Sequence, residues 1–186
     1  MPVHDTAALV VRAKRGDAAA FTELVRRFLR AAYSLALSIV GRRADAEDVA
    51  QEAFVVALER IDTCQEPDRF AGWLLQIVRN RARNFVDKRR LRDVTEDGER
   101  PDQAVDSPEL ELARREASLL AALADLPSTQ RDVVLLHDLE EWTHAEIANA
   151  LGLSEVNSRQ HLFQARRALR AKLSGAITKG DDDERP

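Results

Sequence analysis

From Asp93 to Ser107 the chain loses the apolar periodicity that it keeps on either side. That gap constrains the fold more than any other feature. The segment is acidic, carries Gly98 and Pro101, and is followed by Pro108, so it reads as a linker. The chain must then fold as two short bodies. On both sides apolar residues recur at spacings of three and four, the period of a helix with one buried face. Phe21, Leu24, Val25 and Phe28 form one stripe, continued by Tyr33, Leu37 and Val40 up to Gly41. Val49, Ala53, Phe54, Ala57, Leu58 and Ile61 form a second, and Trp73, Leu74, Ile77, Val78 and Phe85 a third, within 70–91. Beyond the gap, Leu110, Leu112, Ala113, Ala117, Leu120, Ala121 and Leu123 resume the pattern, Pro127 breaks it, and Val133 to Leu136 restart it. Aromatic residues are 5% of the chain, so the cores must be built from Leu, Ala, Val and Ile, which favours helices over sheet sandwiches. The expected class is all-α, with two small helical domains joined by an acidic linker.

Local signals place several ends. A first helix is expected over 7–15, ended by Gly16, with Asp17 capping the next through its carboxylate. Asp45 reads as a further cap, with Glu47 and Asp48 in the first turn, where negative charge suits the helix dipole. The polar residues 62–69, with Pro67, read as a loop. Pro108 suits a first helical turn, since its missing N–H costs no bond there.

Several classes of chemistry are excluded. The single cysteine, Cys64, permits no intramolecular disulfide, and His4, His137, His144 and His161 are scattered without ligand spacing, so neither a metal nor another cofactor is expected. There is no Gly-rich phosphate loop, nucleophile–base pair or HExxH, and no enzyme activity is expected. Asp5 and Arg12 interrupt any leader-like apolar run, and no stretch approaches the ~18 apolar residues that span a bilayer, so a cytoplasmic chain without membrane insertion is expected.

The net charge of −4 hides a segregation of signs. Arg79, Arg81, Arg83, Lys88, Arg89, Arg90 and Arg92 crowd one block against Asp87 alone. Acidic residues dominate from Asp93 to Glu116, and Arg159, Arg166, Arg167, Arg170 and Lys172 make a second basic block before an acidic tail at Asp181 to Glu184. Basic blocks of this kind are the footprint of phosphate binding, or else ordinary solvated helix faces.

The sharpest local pattern lies at 143–173. Thr143-His144-Ala145-Glu146 is a capping box. Ile147, Ala148 and Leu151 give a short helix its apolar face, Gly152 supplies a left-handed turn residue, and Ser154 caps a longer, basic helix. This is a helix-turn-helix, in which the second helix enters the major groove with its first residues at base edges. Those residues are Glu155, Asn157, Ser158, Arg159, Gln160 and His161, while Arg166, Arg167 and Arg170 suit phosphates.

Here the chain resembles a known family. Leu126-Pro127, Gln130-Arg131, Val133 to Leu136, Thr143 to Ala148, Leu151 to Ser154 and Ala165 to Leu169 resemble region 4 of extracytoplasmic-function RNA polymerase sigma factors. Independently, Asp45 to Phe54 resembles the polymerase-binding helix of region 2, and Phe70, Trp73-Leu74, Ile77 and Asn80, with the basic run to Arg90, its promoter-melting part. The resemblance implies a sigma region 2 domain at 1–92, a linker at 93–107, a region 4 helix-turn-helix at 108–175 and a tail at 176–186. It implies docking on the β′ clamp helices of core polymerase through Asp45, Glu47, Asp48, Gln51, Glu52 and Phe54, and contact with the β flap. It implies recognition of the promoter −35 element by the helix beginning at Glu155. It further implies capture of the melted −10 strand by Arg79, Asn80, Arg83, Asn84, Lys88 and Arg89, with the loop at 63–69 enclosing a flipped base. An anti-sigma partner and a monomeric state on polymerase are also expected from the family. The acidic linker would either mimic RNA charge in the polymerase cleft or act as a plain tether. Trp73 and Phe85 would be core residues or base platforms. Many members carry Gly-Thr-Val at the start of the recognition helix, where this chain has Val156-Asn157-Ser158, so its base contacts are its own. The competing classes are a stand-alone helix-turn-helix regulator, which binds duplex DNA without polymerase, and a helical adaptor that binds no DNA.

Overall fold

A computed structural model describes residues 3–93 and 108–181, with side chains placed for 6–91 and 112–174. Among the described residues there are helices and turns and no strand. Helix α1 (Val3–Lys14) starts ahead of the expected position and stops at Gly16, whose φ of 87° places it in the left-handed region. Asp17 then caps α2 (Ala18–Val40), its Oδ1 accepting the Ala20 N–H at 3.1 Å. The stripe from Phe21 to Leu35 runs unbroken to Gly41, at φ 76°.

Helix α3 (Arg43–Glu59) departs from expectation at its start. Arg42 occupies the cap position and makes no side-chain cap bond. Asp45 lies inside the first turn and accepts from Arg89 Nη1 at 3.1 Å, so a tertiary partner takes the carboxylate that was expected to cap. Two short 3-10 turns, Ile61–Thr63 and Pro67–Arg69, lead into α4 (Phe70–Asp93). Leu24, Val49, Phe70, Leu74 and Val78 are fully buried where α2, α3 and α4 meet, with Val10 of α1 closing the bundle. Each such side chain contributes roughly 1.5–3 kcal/mol by leaving water. Leu58 faces solvent, and Val56 is buried in its place.

The second body comprises α5 (Pro108–Ala124), α6 (Ser128–Val134), a π turn at Leu135–Leu139, α7 (His144–Leu151) and α8 (Glu155–Asp181). The wide turn carries the chain away from α6 and lets the Trp142 N–H donate to the Leu136 carbonyl at 2.9 Å. Val133, Leu136, Ile147, Leu162 and Ala165 form its core. The expected linker lies outside the described residues except for Asp93. The expected tail is helical through Asp181, and the rest of it lies outside them. The two bodies are in contact: Phe28 of α2 meets Trp142 edge-on at 5.9 Å, and Arg43 of α3 bonds Glu116 of α5 at 2.7 and 3.0 Å.

Candidate nucleic-acid interface

The helix-turn-helix is held by short-range bonds, each set by a neighbouring residue. Thr143 Oγ1 accepts the Glu146 N–H at 3.3 Å, and Glu146 Oε2 accepts the Thr143 N–H at 2.8 Å, completing the capping box. Gly152 has φ 67°, and the next N–H, of Leu153, returns to the Ala148 carbonyl at 2.9 Å. Ser154 Oγ accepts the Asn157 N–H at 3.1 Å and starts α8.

This geometry sorts the expected base-reading residues. Glu155, Asn157, Arg159 and Gln160 are exposed, as are Arg166, Arg167 and Arg170. Ser158 is turned inward, 0% exposed, with its hydroxyl 2.9 Å from His144 Nδ1. His161 is half-buried. Glu155 holds Arg159 at 3.0 Å, and Asp138 holds Arg166 at 2.5 and 3.0 Å, so both cations are already paired with a carboxylate. The Arg166 guanidinium keeps the Asp138 carboxyl below its usual range, while burial and the cations nearby lower His144. Two large apolar residues, Val156 and Phe163, are 69% and 68% exposed on the outward side of α8. They were not among the expected base contacts, although their seven-residue spacing puts them on one face with Arg159 and Gln160.

In the first body, Asn80, Arg83, Asn84 and Lys88 lie exposed along α4. Arg79 does not. Its side chain is 12% exposed and is ion-paired with Asp132 of α6, itself 5% exposed. Arg89 is tied to Asp45. Trp73 and Phe85 are half-buried and pack against the core, and Trp73 also lines a cavity beside the 63–69 loop.

On α3, Glu47, Asp48, Gln51 and Glu52 are exposed, with Glu52 accepting from Arg81 at 3.0 Å. Phe54, expected at the polymerase surface, is 6% exposed and seats α3 in the core. The outward apolar positions are instead Val55 and Leu58, 57% and 52% exposed, one and two turns from Gln51. A groove between α2 and α3, floored by Leu29, Tyr33 and Ala50 and edged by Glu47 and Gln51, adjoins this face. Among the described residues no cluster of His, Cys, Asp and Glu could hold a metal, and no helix is long and apolar enough to cross a membrane.

Known proteins share this arrangement. The sigma-70 region 2 family matches residues 24–92, and the sigma-70 region 4 family matches 116–169. The RNA polymerase sigma factor NccH of Alcaligenes xylosoxydans xylosoxydans is 32% identical over 181 residues, which cover 91% of this chain and 95% of that one. The probable sigma factor RfaY of Xanthomonas campestris is 32% identical over 87% of this chain, which spans only 42% of RfaY. The structure of CnrH in complex with the cytosolic domain of CnrY superposes with a TM-score of 0.63 at 29% identity, covering 92% of this chain and 98% of CnrH. A two-body helical fold with these two regions defines a promoter-specificity subunit, which carries no catalytic machinery. The chain belongs to the extracytoplasmic-function group of sigma-70 family RNA polymerase sigma factors, whose function is promoter-specific transcription initiation.

Proposed function

We propose a division of labour among the three faces described above. The face of α3 formed by Glu47, Asp48, Gln51, Glu52, Val55 and Leu58 docks on the β′ clamp helices of core polymerase, its carboxylates meeting basic groups around an apolar strip. The outward side of α8 enters the major groove of the −35 element. There Asn157, Arg159 and Gln160 reach base edges, and Arg166, Arg167 and Arg170 bind phosphates. The α4 cations and the 63–69 loop receive the melted −10 strand. The first body occupies 1–92 and the second 108–175, the latter also meeting the β flap. The chain acts in the cytoplasm, as a monomer on polymerase.

The observation that carries this reading is the capped helix-turn-helix, with its exposed cationic helix, in the same chain as the acidic–apolar face of α3. A stand-alone regulator has no use for the second feature. A further partner of anti-sigma type is supported by the likeness to CnrH, which was solved with the cytosolic domain of CnrY.

Purified bacterial core polymerase is to be run on genomic DNA with and without this chain, mapping RNA 5′ ends. New start sites that share two upstream motifs are the expected result. Core binding without such start sites would refute the DNA assignments, and absence of core binding would refute the docking assignment as well.

A further inference from the structure

We propose that Lys14, at the end of α1, is a positioning residue for −10 recognition: its ammonium holds the Cys64 carbonyl and so turns the Gln65 N–H outward, as a fixed donor for the enclosed base. The inference rests on the assignment of the 63–69 loop to the −10 strand.

Lys14 was not among the expected site residues. It stands in the last turn of α1, where a cation suits the helix dipole. Leu9, Val10 and Ala13, all buried, seat that helix in the bundle. Lys14 Nζ donates to the Cys64 carbonyl at 2.5 Å, across 50 positions of sequence. The donor is charged, and such hydrogen bonds are the stronger kind.

The bond falls at the one place where the loop does not hold itself. The Thr63 N–H donates to the Arg60 carbonyl at 2.8 Å and the Cys64 N–H to the Ile61 carbonyl at 3.1 Å, which fixes the first turn. The Arg69 N–H donates to the Glu66 carbonyl at 2.9 Å and fixes the second. Cys64 is 2% exposed, and its thiol lies 3.6 Å from the Glu66 carbonyl. The Cys64–Gln65 peptide between these turns has no such tie. Among the described residues, Lys14 is the donor that reaches the Cys64 carbonyl, and the Gln65 N–H meets no acceptor. Without Lys14, opposed rotations about Cys64 ψ and Gln65 φ can turn the peptide plane over.

Peptide geometry converts that tie into a donor. A trans peptide is planar, with its C=O and N–H pointing in opposite directions, and no described peptide is cis. A carbonyl drawn toward α1 therefore aims the Gln65 N–H away from α1. Gln65 is exposed and lines the cavity beside Trp73, so the donor is presented on the outward side of the loop. A flipped base is read through hydrogen bonds to its edge. A fixed donor accepts a base that turns an acceptor toward it and rejects one that turns an amino group there. A peptide free to turn over would offer N–H to the first and C=O to the second, and the choice would be lost.

The test uses the full chain on core polymerase, with one promoter taken from start-site mapping. Each base of its −10 element is changed in turn, and promoter-specific RNA is measured for wild type, Lys14→Met and Lys14→Arg. These three residues have nearly equal helix propensity, so α1 is not weakened. Met keeps the length and loses the donor, whereas Arg keeps a donor. At one −10 position a base change is expected to cost wild type roughly tenfold, and Lys14→Met only about twofold, with the penalties for −35 changes unaltered. Lys14→Arg is expected to keep the wild-type penalty. A residue that only supported the fold would lower RNA from every template alike. Gln65→Pro removes the donor itself; Cys64, at φ −72° and ψ 87°, lies outside the helical region that a following proline disfavours. It is expected to flatten discrimination at the same position as Lys14→Met. Full discrimination in Lys14→Met overturns the proposal, as does flattening by Gln65→Pro at a different position or at none. Equal loss of discrimination in Lys14→Met and Lys14→Arg overturns action through the carbonyl. A uniform loss across templates, with the salt slope of promoter binding reduced by about one, makes Lys14 a phosphate contact and overturns it too. If the start sites of the wild-type chain share no −10 motif, the parent reading fails, and that is seen before any variant is made.

Discussion

His144 Nδ1 and Ser158 Oγ lie 2.9 Å apart, linking the first helical position of α7 to the fourth of α8. The bond is buried on the serine side and ties the two helices to each other beside the turn. Ser158→Ala removes the hydroxyl and leaves the imidazole without its partner, a loss of about 1–2 kcal/mol. Urea unfolding monitored by circular dichroism is expected to show that loss. Because no base contact is removed, −35 duplex binding should weaken only as far as the fold does. A variant as stable as wild type would mean that the bond contributes nothing to the turn.

The same histidine gives a pH dependence of defined sign. Burial, together with His137, Arg159 and Arg166 nearby, holds the His144 pKa below its ordinary value of about 6.5, with only Glu155 acting the other way. The folded chain thus binds fewer protons at this site than the unfolded one. Its contribution is complete above about pH 6.5 and is lost as pH falls through the folded value. Asp132 and Glu140, raised by burial, act in the opposite direction, losing their contribution as pH rises. The His144 part is isolated by comparison with His144→Gln. The stability gap between wild type and variant should shrink between pH 7 and pH 5; a gap that stays constant refutes the assignment.

Docking on polymerase is expected to depend on residues that do little for the fold. Val55→Ser and Leu58→Ser change exposed positions, so stability should stay within about 0.5 kcal/mol of wild type. If these side chains are buried on the clamp helices, each loss costs about 1–2 kcal/mol of binding, or roughly tenfold in affinity. Competition against a labelled wild-type chain for core polymerase measures it. Unchanged competition would remove the apolar strip from the docking face.

How much of this was legible depended on the range over which each feature is decided. The caps at Asp17, Thr143 and Ser154 and the turn at Gly152 are settled within four residues, and sequence reading placed all of them. Asp45 misled because its carboxylate is used by Arg89, 44 positions away. Leu58 and Val56 exchanged places because Ala53, Phe54, Val55, Val56, Ala57 and Leu58 are all apolar, and such a run fits more than one buried face. Phe54 was read as a partner contact from the resemblance and Ser158 as a base contact from its place in the helix-turn-helix, yet both side chains turn into their own cores. The pairing of Arg79 could not be read at all, since Asp132 is 53 positions away across the linker and nothing local distinguishes this arginine from Arg83.

If the outward side of α8 reads the −35 element as proposed, Val156 gives that contact a chemical signature. It is the second residue of α8, 69% exposed, on the side of the helix that carries Gln160 and, seven positions on, Phe163. An apolar side chain at a base edge finds one apolar group in the major groove, the thymine 5-methyl. Replacing each thymine of the mapped −35 element by uracil removes those methyls one at a time without altering a hydrogen bond. At one position the wild-type complex should lose about 0.8 kcal/mol, roughly fourfold in binding, the value of one buried methyl-sized group. Val156→Ala shortens the side chain and should lose sensitivity at that position alone, so the effects of the two changes do not add. Equal sensitivity of wild type and Val156→Ala at every thymine would take Val156 out of sequence reading and leave the upstream element to Asn157, Arg159 and Gln160.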